Sequence, residues 1–270
     1  MNLLNILDRL ADDQFFSKMT SRSEGISNLA KFGKKAAFAS IPLGLGSFMA
    51  TSAKAENISV KASFAPASAL TDALQLALTL EYLEDEYYRT GLAASGLIPA
   101  ADKVVFQQIS KHETAHVVFL KAALTSLGTT PGTKPNFDFT AGGNFQPFND
   151  YQQFMILAQA FEDTGVRAYK GQAGNVASNK GVLQAALQIH SVEARHASQV
   201  RRMRANKGWI ELKDGGNMPS VTDAVYAGEE NMTQAGFNTS TLFGAAAGSA
   251  SFDEILSGDD AAMIAGLFIA

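Results

Sequence analysis

The chain has 270 residues, 46% of them hydrophobic and 18% charged, which is enough to bury a substantial core and too apolar for a disordered segment. Its formal net charge is −4 and no basic stripe follows the N-terminal region, so nothing points to nucleic acid as a partner. Cysteine is absent. That excludes disulfides, thiolate zinc sites, iron–sulfur ligation and thiol catalysis, and leaves oxygen and imidazole as the metal donors.

The first 55 residues read as an export or targeting segment. Lys31, Lys34 and Lys35 precede an apolar run from Ala36 to Ala50, and Ala53-Lys54-Ala55 follows as an A-x-A-like cleavage site. The run is about 15 residues, short of the roughly 20 that a membrane-spanning helix needs, and Pro42, Gly44 and Gly46 interrupt it. Gly33-Lys34-Lys35-Ala36-Ala37-Phe38 resembles a twin-arginine export signal with Lys-Lys in place of Arg-Arg. Cleavage after Ala55 would remove seven basic and four acidic residues and leave a net charge of −7. The expectation is an exported protein, periplasmic or envelope-associated, or a cytoplasmic one if the segment is not cleaved.

Helical periodicity begins at Ala69. Leu70, Leu74, Leu76, Leu78, Leu80 and Leu83 crowd a first helix running to Arg89 and ended by Gly91. Pro99 and Asp102 open a second, with Val105, Ile109, Val117, Leu120 and Leu124 on one face and Gly128 as its stop. A Pro/Gly/Thr/Asn-rich stretch covers 129–149. The third helix spans Asp150 to Lys170 with Phe154, Leu157, Phe161 and Tyr169 inward, and the fourth Lys180 to Asn206, stopped by Gly208. Together, residues 66–207 make a four-helix bundle.

Connection lengths set its topology. The first and last pairs are joined by short loops and form antiparallel hairpins. The middle connection, about 20 residues, can span up to ~70 Å when extended. A helix of about 24 residues is only ~36 Å long. The linker can therefore cross the full bundle and place the second and third helices parallel. The remainder, 208–270, reads as an irregular extension wrapping the bundle, anchored by Trp209, Tyr226, Phe237 and Phe243. A last helix over Asp259–Ala270 carries Met263, Ile264, Leu267, Phe268 and Ile269, and would cap the bundle or bury against a second copy in a homo-oligomer.

Two E-x-x-H motifs carry the chemistry: Glu113/His116 on the second helix and Glu193/His196 on the fourth. Residues three apart on a helix lie about 60° apart around its axis, so each pair converges on one point. With this composition chance yields roughly 0.2 such pairs, so two indicate a purpose. The other helices each supply a glutamate, Glu81 and Glu162, followed seven residues later by Tyr88 and Tyr169. The chain thus repeats one hairpin at an offset of about 80 residues. Four glutamates and two histidines from four helices form the ligand set of a dinuclear carboxylate bundle.

The region from Ala69 to Asn206 resembles the ferritin-like superfamily. Leu80-Glu81-Tyr82-Leu83-Glu84, Phe161-Glu162 and the two E-x-x-H motifs are similar to its bacterial and plant desiccation-related branch. The resemblance implies an all-α, ferritin-like bundle with one long crossover. It also implies Glu113 and Glu193 bridging two metal ions, with Glu81 and His116 on one and Glu162 and His196 on the other. Tyr88 and Tyr169 would hold carboxylates from behind. Iron is the first expectation and manganese the variant, with Fe(II) oxidation or reduction of dioxygen or peroxide as the activity. Metal ions and small oxidants would be the partners. A non-catalytic envelope protein of stress or desiccation on the same fold is the other reading.

Several residues keep a second reading. Glu84 or Glu86 competes with Glu81 as the inward carboxylate, and both tyrosines can be packed residues with bonded hydroxyls. His190, one turn before Glu193, is an extra ligand, an outer partner of the site, or a histidine capping the bundle layer. His112 reads as a surface residue because it points about 100° away from Glu113. Asp85 and Asp163 read as solvated.

Overall fold

The computed structural model describes residues 67–270, so the segment read as an export signal lies outside the described residues. Four long helices dominate: α1 (Ala67–Ala93), α2 (Ala100–Ser126), α3 (Tyr151–Val176) and α4 (Lys180–Met203). Their ends follow local chemistry. Pro99 precedes α2, Asp150 caps α3 by accepting from the Gln152 and Gln153 amides, and Asn179 caps α4 through the Val182 amide. Gly128 follows α2 with a φ of +73°, a turn that favours glycine.

Two expected ends move. α1 continues through Gly91 to Ala93, because that glycine serves packing: a Cβ there would strike the Phe154 ring. α3 passes Lys170 and runs to Val176, since its later turns lie against the extension and the Gly171 backbone meets the Leu256 carbonyl.

Helices α1 and α2 form one hairpin and α3 and α4 the other. Contacts across them fix direction. Tyr88 meets Glu162 while Glu81 meets Tyr169, so residues later in α1 face earlier ones in α3. α1 and α3 are therefore antiparallel, and α2 and α3 run parallel across the long linker, 127–150. The linker packs rather than dangles. Phe137 pairs with Ile269 in an isolated bridge, and Phe139 and Phe145 are buried.

The core has two apolar ends. An aromatic cluster holds Tyr87, Tyr88, Phe106, Phe154 and Phe161, with Tyr87 donating to the Phe154 carbonyl at 2.7 Å. An aliphatic cluster holds Leu70, Leu74, Leu78, Leu120, Leu124 and Val176. Each fully buried apolar side chain contributes about 1.5–3 kcal/mol. The chemistry-bearing residues sit in the layer between these clusters.

The extension comprises a 3-10 turn (Ser220–Thr222), α5 (Asp223–Tyr226), a hairpin of β1 (Thr233–Gln234) and β2 (Phe237–Asn238), α6 (Ser240–Ser249) and α7 (Gly258–Gly266). α7 and the residues after it cap α1 and α3, burying Ile264 and Phe268 while Met263, Leu267 and Ile269 stay exposed. It ends at Gly266 instead of Ala270, because the last residues turn to pair with the linker: the Ala270 amide donates to the Asn136 carbonyl at 2.9 Å. The anchors differ from expectation. Tyr226 is buried, but Trp209, Phe237 and Phe243 are 50%, 47% and 83% exposed. Ile210, Val225 and Leu256 do the anchoring. Among the described residues no helix is long and apolar enough to cross a membrane.

Candidate metal centre

Glu81, Glu113, Glu162 and Glu193 come from one helix each and are fully buried, with His196 buried and His116 part-buried beside them. Helix periodicity turns them inward, and the antiparallel hairpins bring the four layers to one height. His116 Nδ1 lies 2.9 Å from Glu113, 3.1 Å from Glu193 and 3.2 Å from Glu81. His196 Nδ1 lies 3.0 Å from Glu113, 3.1 Å from Glu162 and 3.3 Å from Glu193. Two groups emerge, each able to hold a metal ion: Glu81, Glu113, His116 and Glu193, and Glu113, Glu162, Glu193 and His196. Glu113 and Glu193 belong to both.

The residues fit such ions on a point internal to the fold. Glu113 Oε1 and both oxygens of Glu193 are buried without a hydrogen bond, although imidazole nitrogens are near, because the angles are wrong for one. A buried carboxylate oxygen without a partner costs several kcal/mol. Oxygen and imidazole donors converging there match the preferences of iron, manganese or zinc.

The decisive observation is this shared pair of carboxylates between two E-x-x-H motifs. A family model described as ferritin-like domain matches residues 69–206. The chain belongs to that family. A comparison with curated proteins found no match.

Within this ferritin-like layer the tyrosines cross over. Tyr88 Oη donates to Glu162 Oε1 and Tyr169 Oη to Glu81 Oε1, both at 2.5 Å. Each thus holds the lone glutamate of the other hairpin instead of its own. Burial, and then the charge of the partner glutamate, pushes both phenols well above their ordinary pKa.

Electrostatics among these side chains follow from crowding. Burial, then the charge of Glu193, pushes Glu113 well up. Burial raises Glu81, and it raises Glu162 to about 7. Burial pulls the same way on Glu193, but the adjacent His116 and His196 imidazoles overcome it and hold that carboxylate at about 2. Burial would lower the two imidazoles, yet the surrounding carboxylates win and raise both. Protonated histidines thereby stand in for cations.

Other expectations need correction. Glu81 and Glu84 both point inward: Glu84 is 2% exposed, and burial followed by the charges of Glu193 and Glu162 drives its pKa well up. The counterpart of Glu84 in the repeat is Gly165, whose backbone lies opposite Glu84 Oε1 and the Glu193 stem. A spacing of three from Glu81 signalled this. His112, read as a surface residue, is half-buried and its ring reaches the site. Its Nδ1 lies 2.9 Å from His196 Nε2, and its Nε2 lies 2.7 Å from the exposed Gln108 amide. It shares a face with His116, four residues on, which was the usable signal. Burial, then the charges of His196 and His116, lowers its pKa.

His190 does not reach the carboxylates; its Nδ1 bonds the Val166 carbonyl at 2.9 Å. Asp85 is buried and accepts from Thr114 Oγ1 at 2.5 Å, because the α1–α2 contact covers it. Asp163 is buried under the extension, bound by Arg201 at 2.5 and 3.2 Å and by Tyr226 Oη at 2.9 Å. Glu86 faces outward to Lys134.

Proposed function

We propose that this protein holds a dinuclear metal centre, iron before manganese, and uses it to oxidise Fe(II) or to reduce dioxygen or peroxide. The observation that carries this reading is the pair of buried carboxylates Glu113 and Glu193, shared by both ligand groups and with oxygens that accept no hydrogen bond. Glu113 and Glu193 would span the two ions, with Glu81 and His116 completing one sphere and Glu162 and His196 the other. A bound iron pair supplies the one-electron steps such chemistry needs.

The chain's own residues prepare the place. Tyr88 and Tyr169 donate their hydroxyl protons to the two outer carboxylates and fix their orientation. With His196 Nδ1 turned to an ion, its Nε2 carries the proton and donates to His112 Nδ1. His112 then donates from Nε2, which requires the Gln108 amide to present its oxygen. Aromatic and aliphatic clusters on either side keep bulk water from the layer.

Metal content decides the matter first. Protein purified without added metal and then reconstituted with Fe(II) is expected to hold about two ions per chain, lost in Glu113→Ala/Glu193→Ala. Less than about half an ion per chain would sink the dinuclear reading. Fe(II) oxidation above background then separates a redox enzyme from the second reading, an envelope protein of stress or desiccation whose metal serves structure alone. The Asp163–Arg201–Tyr226 tie between the extension and the turn beside Glu162 favours that second reading. Export is part of the proposal, tested by N-terminal mass analysis of protein recovered outside the cytoplasm, which is expected to begin after Ala55.

A further inference from the structure

The outer face of α4 carries a second feature, independent of the metals. Arg195, Ser198 and Arg202 stand at positions i, i+3 and i+7, one stripe opposite the inward Glu193 and His196. Such a stripe is ordinarily solvated. Here Trp209, Ala250 and Asp253 of the extension help line an open cavity of about 490 Å³ beside it, with Arg195 and Arg202 still exposed to solvent.

Charge in this cavity is uneven. Four arginines (167, 195, 201, 202) and two aspartates (163, 253) line it, an excess of two positive charges on a chain whose net charge is −4. Two of the arginines are engaged. Arg201 is clamped on Asp163, and Arg167 pairs with Glu229 at 2.7 Å and bonds backbone carbonyls. Among the described residues the side chains of Arg195 and Arg202 form neither an ion pair nor a hydrogen bond, unlike those of Arg167 and Arg201. Arg202 lies close over Gly208: a Cβ there would come within 2.6 Å of its Nε and 2.7 Å of Ser198 Oγ. The guanidinium thus lies folded against the glycine backbone, beside the serine hydroxyl. A planar fork with free donors next to a hydroxyl, in a concave positive pocket, suits a multivalent oxyanion.

We propose that this cavity binds a small multivalent oxyanion, of phosphate or polycarboxylate chemistry, between Arg195 and Arg202 with Ser198 as an added donor. Trp209, the chain's single tryptophan, stands at the cavity wall and reports occupancy. The full chain is titrated with inorganic phosphate and, separately, with citrate at constant ionic strength, following Trp209 fluorescence and, in parallel, calorimetric heat. Saturable binding is expected from at least one anion and not from chloride, and which anion binds more tightly assigns the source. Arg195→Gln/Arg202→Gln should weaken it about tenfold or more, as loss of charge-assisted bonds does. Gly208→Ala should also weaken it by displacing the Arg202 guanidinium. Each variant's helical circular dichroism is compared with the parent to confirm folding. Absence of both heat and fluorescence change, equal binding of chloride, or undiminished binding by the folded double-glutamine variant would each overturn the proposal.

Discussion

At the scale of single residues, the six candidate ligands were legible because their signal is local. A spacing of three within a helix fixes relative direction whatever the helix packs against. Glu84 and His112 obey the same geometry but were hidden by competing explanations, one by a neighbouring glutamate and the other by its offset from Glu113. Both yield predictions. His112→Ala would leave His196 Nε2 without its partner, so metal affinity should fall about 10–100-fold in a chelator competition, as loss of an outer-shell partner does. Unchanged affinity would show that His112 merely packs. Glu84→Gln removes a buried acid that must ionise against four other carboxylates as pH rises. Metal-free Glu84→Gln should melt about 2–4 °C higher at pH 8, the shift that 1 kcal/mol gives in a domain of this size. At pH 4, below the ordinary carboxylate pKa, the difference should vanish; a rise at both pH values would point to packing instead.

At the scale of elements, the four helices and the long crossover follow from apolar periodicity and loop length, and the structure has both. The helix ends that moved, at Gly91 and beyond Lys170, moved because those glycines answer to a neighbour in space and not to the chain's own turn. Gly171→Ala would drive a methyl into the Leu256 carbonyl and should cost about 1–3 kcal/mol in urea denaturation. An unchanged midpoint would mean the extension can lift away freely. Arg167 binds the extension more deeply, through Glu229 and the carbonyls of Glu254, Ala227 and Ile255. Arg167→Ala leaves Glu229 buried without its cation, so a loss of about 3–5 kcal/mol is expected in the same assay. Arg167→Lys keeps the charge without the fork and should fall between the two.

At the scale of the whole molecule, stability and metal binding are coupled through protons. Folding raises the pKa of Glu81, Glu84 and Glu113, takes Glu162 to about 7, and raises both histidines. A raised folded pKa means that the folded state binds more protons than the unfolded one, so stability falls as pH rises. For the glutamates that loss starts near the unfolded value and continues through about 7; for the histidines it begins above their ordinary 6.5. Glu193, held at about 2, acts the other way but only below its ordinary 4.5; His112 and His190, lowered by burial, also act the other way below 6.5, but they are two groups against four raised glutamates. The melting temperature of metal-free protein should therefore drop between pH 5 and 8. Added metal should reverse the drop, because ions displace the same protons more easily as pH rises. A flat profile in chelator would mean that the carboxylate layer is not the seat of the linkage.

Sequence alone determined the helices, the crossover and the inward face of each E-x-x-H motif, since periodicity and short-range spacing are properties of a chain segment by itself. Tertiary structure decided the rest. Which tyrosine holds which glutamate depends on α1 and α3 running antiparallel, and the burial of Glu84 depends on the other three helices closing over it. Burial of Asp163 and the concavity beside the arginine stripe on α4 depend on where the extension comes to rest. Contacts between segments far apart in the chain leave no periodic trace, because each partner's spacing within its own segment is unchanged by the meeting.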